Sequence, residues 1–475
     1  MTILVTGATG YIGSRLARQL LARGHRVRAM ARDPRRLSAL GAAGAACVAG
    51  DVLEPGSLTP ALDGVTVAYY LVHSMGAGAD FASQDREAAG NFATACAAAG
   101  VRRIIYLGGL GQSGPALSKH LASRHEVGQV LRAGPVPVTE LRAAIIVGAG
   151  SASFEILRDL ARKLPVMVCP RWVRSRCEPI ALDQVLEYLI GILKANETIG
   201  EVLEIGGGEV LTYEEMLRQC AAALGKRVRI VVVPVLTPRL SSYWLNLITS
   251  VPMDIARPLA EGLRNDVVTT DHRIREWIPV AAVTFRQAVH RALTEDQAGP
   301  LESRWTGAIS RIRRELPPAP AAILRDERVL QANASPAALF AAVEKIGGRT
   351  GWYYADWLWR LRGFLDRLLG GVGMRRGRRD PVTIALGDPV DFWRVEDLVP
   401  GRLLRLRAEM KVPGTATLEF EVVAGVDESR AVLTQRAEFE PRGAWGRVYW
   451  NVLRPLHASV FRGMAAGIVR TAETQ

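Results

Sequence analysis

From Thr2 to about Val147, short apolar runs alternate with stretches in which apolar residues recur every three or four positions. ILVTG precedes a helical pattern through Leu16 and Leu20; RVRAMAR, AACVAG, VTVAYYLVH, RRIIYLGG and VPVTELRAAIIVG follow. Strand-like runs roughly 25 residues apart, with helical periods between them, predict βαβ units and a parallel sheet covered on both faces. The rhythm continues less regularly to about Arg291. PIALDQVLEYLIGIL reads as a helix, VLEIGGG as a strand ending in glycines, and LTYEEMLRQCAAALG as a helix opened by Thr212 as N-cap with Glu215 three residues on.

Around ELPPAPAAIL the proline and alanine content predicts a linker, and beyond it the pattern changes. A strand ends at NAS, where Ser335 and Pro336 form a strong helix start. DPVDFWRVEDL, GRLLRLRAEM, TATLEFEVV and RAVLTQRAEFE then follow as strands. Leu406, Ala408 and Met410 alternate with Arg405, Arg407 and Glu409; Ala416, Leu418, Phe420 and Val422 alternate with Thr417, Glu419 and Glu421. Such alternation predicts an antiparallel sheet with one wet face. A closing apolar pattern, WGRVYWNVLRPLHASVFRGMAAGIV, predicts a long helix interrupted at Pro455. The organisation is therefore an α/β doubly wound domain over 1–290, a linker over 291–320 and an α+β domain over 321–475.

Composition adds little to that division but narrows the chemistry. The 475 residues include 49% hydrophobic and 23% charged residues, as in ordinary globular proteins. The formal charge of +13 is compatible with acidic partners such as nucleotide phosphates or anionic lipid surfaces, and equally with a basic solvated surface. Five cysteines without close pairing read as reduced thiols, and no secretory pattern precedes the first strand, so the expected location is cytoplasmic. VLTPRLSSYWLNLITSVPM is too broken by Arg239, serines and prolines to predict a membrane span, though it suits an apolar lid. No metal-spaced His or Cys cluster, hydrolase or kinase motif, or nucleic-acid module is found; no metal and no nucleic-acid partner are expected.

The strongest local signal is TGATGYIG, between the first strand and the helix SRLARQLLARG. Gly7 permits a tight turn, Gly10 lets backbone approach a pyrophosphate, and Gly13 lets helix pack on strand. Thr9, Tyr11 and Ile12 share the turn and the helix start, whose N–H groups face the phosphates. A dinucleotide is the expected cofactor. The end of the second strand, AMARDPRR, offers Arg32, backed by Arg35 or Arg36, for a 2′-phosphate, while Asp33 reads as a turn residue before Pro34. NADP is favoured, with NAD left open.

TGATGYIG, the GDV of Gly50 to Val52 and the order of the later strands resemble the short-chain dehydrogenase/reductase superfamily in its atypical NmrA-like branch, over about residues 1–290. That resemblance implies a Rossmann fold, Asp51 and Val52 beside the adenine, and Leu71, Val72 and His73 along the ribose and nicotinamide. Typical relatives end the fifth strand with a serine and carry YxxxK on the next helix. Here Gly108 and Gly109 stand at the strand end, and HLASRHEV places His120 at the tyrosine position and Arg124 at the lysine position. Two readings follow: His120 acts as general acid with Arg124 on the ribose, or the helix start is polar and exposed and only cofactor binding survives. His125, one position off that row, reads as solvated. His73 and Ser74 at a strand end, and Arg171, Arg174 and Arg176 beside Trp172, are further candidates. The implied activity is an NAD(P)H-dependent oxidoreductase on a hydrophobic substrate; the alternative is a nucleotide sensor or a binder of lipid or another apolar ligand.

Trp305, Trp352, Trp357, Trp359, Trp393, Trp445 and Trp450 all fall after residue 300. With ANASPAALF, the alternating strands and the closing helix, they resemble a START-like helix-grip domain of the SRPBCC superfamily over roughly 320–475. That resemblance implies an apolar cavity; tryptophans filling an ordinary core is the other reading. RRGRR, Arg375 to Arg379, follows the aromatic amphipathic segment GWYYADWLWRLRGFLDRLL, so either a peripheral membrane contact or a solvated loop is open.

Overall fold

The computed structural model describes residues 1–73, 81–111, 117–233, 253–298 and 323–474 except 370, 376, 381, 426 and 428, together with positions 249, 251, 303 and 305. VLTPRLSSYWLNLITSVPM therefore lies almost wholly outside the described residues, as do Ser74 and most of ELPPAPAAIL. The chain divides into two units, Met1–Ile309 and Ser310–Gln475.

In the first unit, β1 (Thr2–Val5), β2 (Arg26–Ala31), β3 (Ala46–Ala49), β4 (Val67–Tyr70), β5 (Arg103–Gly109) and β6 (Val138–Ala143) are six of the seven strands in one sheet. The short β7 (Ile146–Val147), β8 (Val166–Pro170), β9 (Arg176–Cys177) and β10 (Ile180–Ala181) lie outside it, and β11 (Val202–Ile205) completes it at one edge. The order is β11-β6-β5-β4-β1-β2-β3, with every pair parallel. Chain order reverses between β1 and β4, and in a doubly wound sheet the crevice for a ligand opens there, at the carboxyl ends of the strands. This bears out the Rossmann-type expectation for this unit.

The helices reach both faces. α1 (Tyr11–Ala22) buries Leu16, Ala17 and Leu20; α2 (Ser38–Ala42) and α3 (Pro55–Leu62) follow; α4 (Phe81–Ala98) buries Ala88, Ala89, Phe92 and Cys96; and α5 (Lys119–Arg132) buries Leu121, Val127 and Leu131. α6 (Ala152–Lys163), α7 (Leu182–Gly191) and α8 (Tyr213–Ala223) complete the first half. α8 begins in a reciprocal cap: Thr212 Oγ1 accepts from Glu215 N at 3.2 Å, and Thr212 N donates to Glu215 Oε2 at 2.7 Å. That satisfies two backbone groups otherwise left bare at a helix start. The helix Phe285–Ala298 runs through position 290, where the sequence pattern placed the start of the linker. Its apolar row, Phe285, Ala288, Val289, Ala292 and Leu293, packs into the unit's core. Ser303 and Trp305, also inside the predicted linker, return to the same unit: Trp305 Nε1 donates to Glu155 Oε2 at 2.8 Å, and Ser303 Oγ donates to Tyr11 O at 3.0 Å.

The second unit holds a six-stranded antiparallel sheet. Its strands, in chain order, are Leu324–Ala332, Pro389–Val390, Trp393–Val399, Leu403–Ala408, Gly414–Ala424 and Ala431–Pro441, the first and last pairing along their length. Leu404, Leu406, Leu418, Phe420, Val422 and Leu433 face the core. On the wet face Arg405, Glu419, Arg436 and Glu327 stand opposite one another across four strands and form a ladder of ion pairs, with Glu419–Arg436 at 2.8 Å and Arg436–Glu327 at 2.7 Å. Ser335 caps the helix Pro336–Glu344 through Ala338 N, 3.2 Å. The closing helix differs from expectation: it runs unbroken over Gly443–Glu473 with Pro455 inside it. Pro455 and the residues just before it, Asn451, Val452 and Arg454, are exposed, so water can take the place of the missing backbone hydrogen bond.

Candidate functional site

The site grows from the β1 turn. Gly7 is left-handed, φ +62°, and a Cβ there would stand 2.6 Å from Leu71 O; a Cβ on Gly13 would stand 2.3 Å from Gly7 O. Both glycines are thus required by backbone-to-backbone approach. Thr6 locks the neighbouring strand end, donating from Oγ1 to Tyr69 O (2.9 Å) and accepting from Leu71 N (3.0 Å). Gly10 is the N-cap of α1 and no side chain caps the helix, so the first N–H groups, from Tyr11 onward, face the crevice. That cradle fits the pyrophosphate of a dinucleotide. Tyr11 is half-buried, with the Arg15 guanidinium over its ring; its hydroxyl is enclosed where a Cβ on Gly148 would fall, and burial raises its pKa. Thr9 and Ile12 are half-buried beside it.

At the end of β2, Arg32 is exposed. Asp33 caps the following turn, accepting from Arg35 N at 3.0 Å, and pairs with the Arg35 guanidinium at 3.0 Å; these contacts with Arg35 and the nearby Arg36 lower its pKa despite partial burial. Its charge is therefore met within its own turn. Asp51 and Val52 follow β3. Asp51 Oδ1 accepts from Leu53 N at 3.0 Å, and Val52 is buried, its carbonyl accepting from Asn91 Nδ2 at 3.1 Å.

Leu71, Val72 and His73 leave β4 at the switch point, half-buried. The His73 ring lies 5.1 Å from that of His120, in the first turn of α5, so the structure brings together two candidates 47 residues apart. His73 Nδ1 stands 3.4 Å from Asp85 Oδ2 on α4. Among the described residues Nε2 of His73 and Nδ1 of His120 have no hydrogen-bond partner, and Asp85 is the one group close to His73 Nδ1. Burial lowers the pKa of His73, countered in part by Asp85; His120 is held well below 6.5 by burial, by His73 and by Arg124. Both imidazoles are neutral at pH 7. The helix start is mixed in exposure: Lys119 and Ala122 are exposed, His120 is half-buried with Nδ1 enclosed, and Leu121 is buried.

Arg124 is turned toward β5: its guanidinium donates to Leu107 O and lies 5.1 Å over the Tyr106 ring. His125, read as solvated, is buried, with Nε2 3.1 Å from Gly109 O. Helical phase explains this, because His125 shares the row of Leu121 and Gly128, which packs on β5 and β6. The glycines at the end of β5 also have a steric reason: a Cβ on Gly109 would come within 2.8 Å of Leu121 Cδ2, and one on Gly108 within 3.2 Å of Glu140 Oε1. Beyond them Leu117, Leu121 and Val267 converge on Gly111 as an apolar wall. Asp85 was missed in the sequence. The signal was its place in the buried row of α4, in phase with Ala88, Ala89 and Phe92, where an acid needs a reason. Arg171, Arg174 and Arg176 are divided: Arg176 pairs with Asp266 at 3.0 Å and Arg174 lies 3.9 Å from Glu214. Among the described residues no cluster of three or more His, Cys, Asp or Glu is placed to hold a metal.

Known proteins resemble the two units separately. Residues 7–147 match the family model described as NAD(P)H-binding, and residues 318–464 match the family described as protein of unknown function DUF2867. The photosystem II assembly factor Ycf39 of Cyanophora paradoxa is 43% identical over 67 residues, and sterol demethylase protein B of Methylococcus capsulatus 44% identical over 70; these cover 14% and 15% of this chain and 21% of each relative. The chain thus matches about a fifth of the length of these curated relatives. Crystal structures of Citrobacter triphenylmethane reductase, alone and complexed with NADP(H), are 21% and 20% identical with TM-scores of 0.51 and 0.50, each covering 62% of this chain and 100% of that one. The parallel sheet of the first unit and the match over residues 7–147 agree on an NAD(P)H-binding Rossmann-type fold, and residues 318–464 of the chain resemble the DUF2867 family. Among the described residues no helix is long and apolar enough to cross a membrane.

Proposed function

We propose that the chain is an NADPH-dependent reductase of an apolar carbonyl or quinone substrate, held against His73 and His120. The observation that carries this reading is the histidine pair. Two buried ring nitrogens, His73 Nε2 and His120 Nδ1, have no partner among the described residues, and at the switch point of the sheet such atoms are costly at roughly 1–3 kcal/mol each unless a ligand's polar atoms meet them. When bound, the dinucleotide supplies hydride. His120, neutral at pH 7, donates an N–H hydrogen bond to the substrate oxygen and polarises it, a role open to an uncharged imidazole, and the oxygen left negative by hydride addition takes its proton from solvent as the product leaves. Asp85 orients His73, and Leu117, Leu121 and Val267 exclude water. The preference for NADPH rests on Arg32 at the end of β2 and on Asp33, already paired with Arg35. The test is NADPH oxidation against a panel of apolar aldehydes, ketones and quinones. Substrate-dependent oxidation, lowered about 10²-fold in His120→Phe, is expected.

One observation favours a second reading, a cofactor-binding sensor without turnover: Arg124, at the position of the relatives' lysine, is bound to Leu107 O. NADPH binding without oxidation of any panel member selects that reading.

For the second unit the START-like, helix-grip arrangement with an apolar ligand between sheet and long helix is part of the proposal. Its support is polar atoms with no partner among the described residues in an aromatic interior: Gln435 Oε1, Trp359 Nε1 and Trp393 Nε1, the two indoles each packed on Trp352. Mass spectrometry of small molecules extracted from the purified full chain tests it, and an empty extract from folded protein counts against it.

A further inference from the structure

We infer that the second unit docks peripherally on anionic membrane surfaces through the exposed apolar rows of two helices, Asp356–Leu368 and the first half of Gly443–Glu473, which meet at Phe461 and Gly463. The first helix is amphipathic in the wrong sense for a helix that needs only to cover its own core. Trp359, Gly363 and Asp366 are its buried row, yet Trp357, Leu361, Phe364, Leu365 and Leu368, at i, i+4, i+7, i+8 and i+11, line the opposite side and are exposed. The long helix repeats the arrangement with Trp445, Val448, Val452 and Leu456, at i, i+3, i+7 and i+11. The most exposed residues of the two rows are their tryptophans, Trp357 at 65% and Trp445 at 80%.

The helices lie antiparallel. Tyr354 meets Gly463, Trp359 meets Phe461, and Arg362 is felt electrostatically at His457. Exposed apolar rows on adjacent helices are unusual for a surface facing only water.

Charge selects the occupant. On the first helix both acids are engaged within the unit: Asp356 Oδ1 accepts from Trp352 N at 2.8 Å, and buried Asp366 accepts from Gly373 N at 2.8 Å and Lys411 N at 2.7 Å. Arg360 is exposed beside the row. The long helix carries no acid before Glu473, and Arg447 and Arg454 are exposed on it. Rows bearing tryptophan and leucine, on helices whose exposed charges before Glu473 are all arginines, match the headgroup boundary of an anionic bilayer: indoles enter the interface, Arg360 borders its row, and Arg447 and Arg454, on the other side of the long helix, add to the positive field. Two arginines of RRGRR are used within the unit: Arg378 donates to Ile346 O at 2.7 Å and Thr383 O at 3.0 Å, and Arg379 pairs with Asp388 at 2.9 Å. Arg376 lies outside the described residues.

The test is sedimentation of the full chain with vesicles of phosphatidylcholine, with and without phosphatidylglycerol. Binding to the anionic vesicles only, reversed by about 0.5 M salt, is expected. Arg360→Gln with Arg447→Gln and Arg454→Gln should weaken binding at least about tenfold, and Trp357→Ser with Trp445→Ser by a similar factor, the circular dichroism spectrum staying unchanged because all five side chains are exposed. Equal binding to both vesicle types overturns the proposal. So does the absence of vesicle binding, whether the chain stays monomeric or instead forms dimers that Trp357→Ser with Trp445→Ser dissociates, which would assign the face to a second copy.

Discussion

The phosphate cradle and the histidine pair lie at the same end of the sheet, the carboxyl ends of its strands, but are built in different ways. The cradle is local: Gly7 to Gly13 supply turn, close approach and helix start, and backbone does the work. The pocket is assembled from a strand end, α4 and α5, and its side chains are neighbours only because β4 lies between β1 and β5. The cradle has no room for a Cβ at Gly7 or Gly13. The histidine pair, by contrast, keeps ring nitrogens without partners among the described residues. On the proposed reading, one region is fitted to the pyrophosphate and the other takes the substrate.

The two should therefore fail differently. The largest effect belongs to Gly13→Ala, whose new methyl meets backbone at 2.3 Å, so α1 must shift away from Gly7. NADPH affinity should fall by about 10²-fold or more, and the melt should show about 1–3 kcal/mol of lost stability. His120→Phe should lower turnover by about 10²-fold while the melting temperature holds or rises, because a buried polar atom without a partner has been removed. Unchanged turnover would reduce His120 to a packing residue. Smaller again is Arg32→Ala, expected to cut an NADPH-over-NADH preference of about tenfold, near 1.4 kcal/mol, toward unity in paired titrations; a retained preference would move the 2′-phosphate contact elsewhere.

The smallest effect is that of pH. His73 and His120 have folded pKa values below the ordinary 6.5, so the unfolded chain binds protons more readily and stability falls as pH drops below about 6.5. Turnover should be flat from about pH 8 to 6.5 and decline only below that, and both declines should be gentler in the double variant His73→Phe, His120→Phe. An activity limb centred above 6.5 would mean that His120 is charged at rest.

What the sequence disclosed follows the same division. The glycine cradle, the parallel strands, the Thr212 and Ser335 caps and the alternating strands of the second unit are short-range patterns, and the chain folds as they read. Contacts made by topology were not legible. Asp85 beneath His73, the turning of Arg124 to Leu107 O, the burial of His125, and the return of Ser303 and Trp305 onto the first unit each join residues far apart in the chain. Pro455 was misread for a physical reason: a proline breaks a helix where its partner carbonyl is buried, and here the surface is wet.

The separation of cradle from pocket is tested most directly by one fluorescence titration of NADPH into the wild-type chain, Gly13→Ala and His120→Phe. Gly13→Ala should bind at least about 10²-fold more weakly, while His120→Phe stays within about twofold of wild type. Equal weakening by both substitutions, or wild-type affinity in Gly13→Ala, would contradict it.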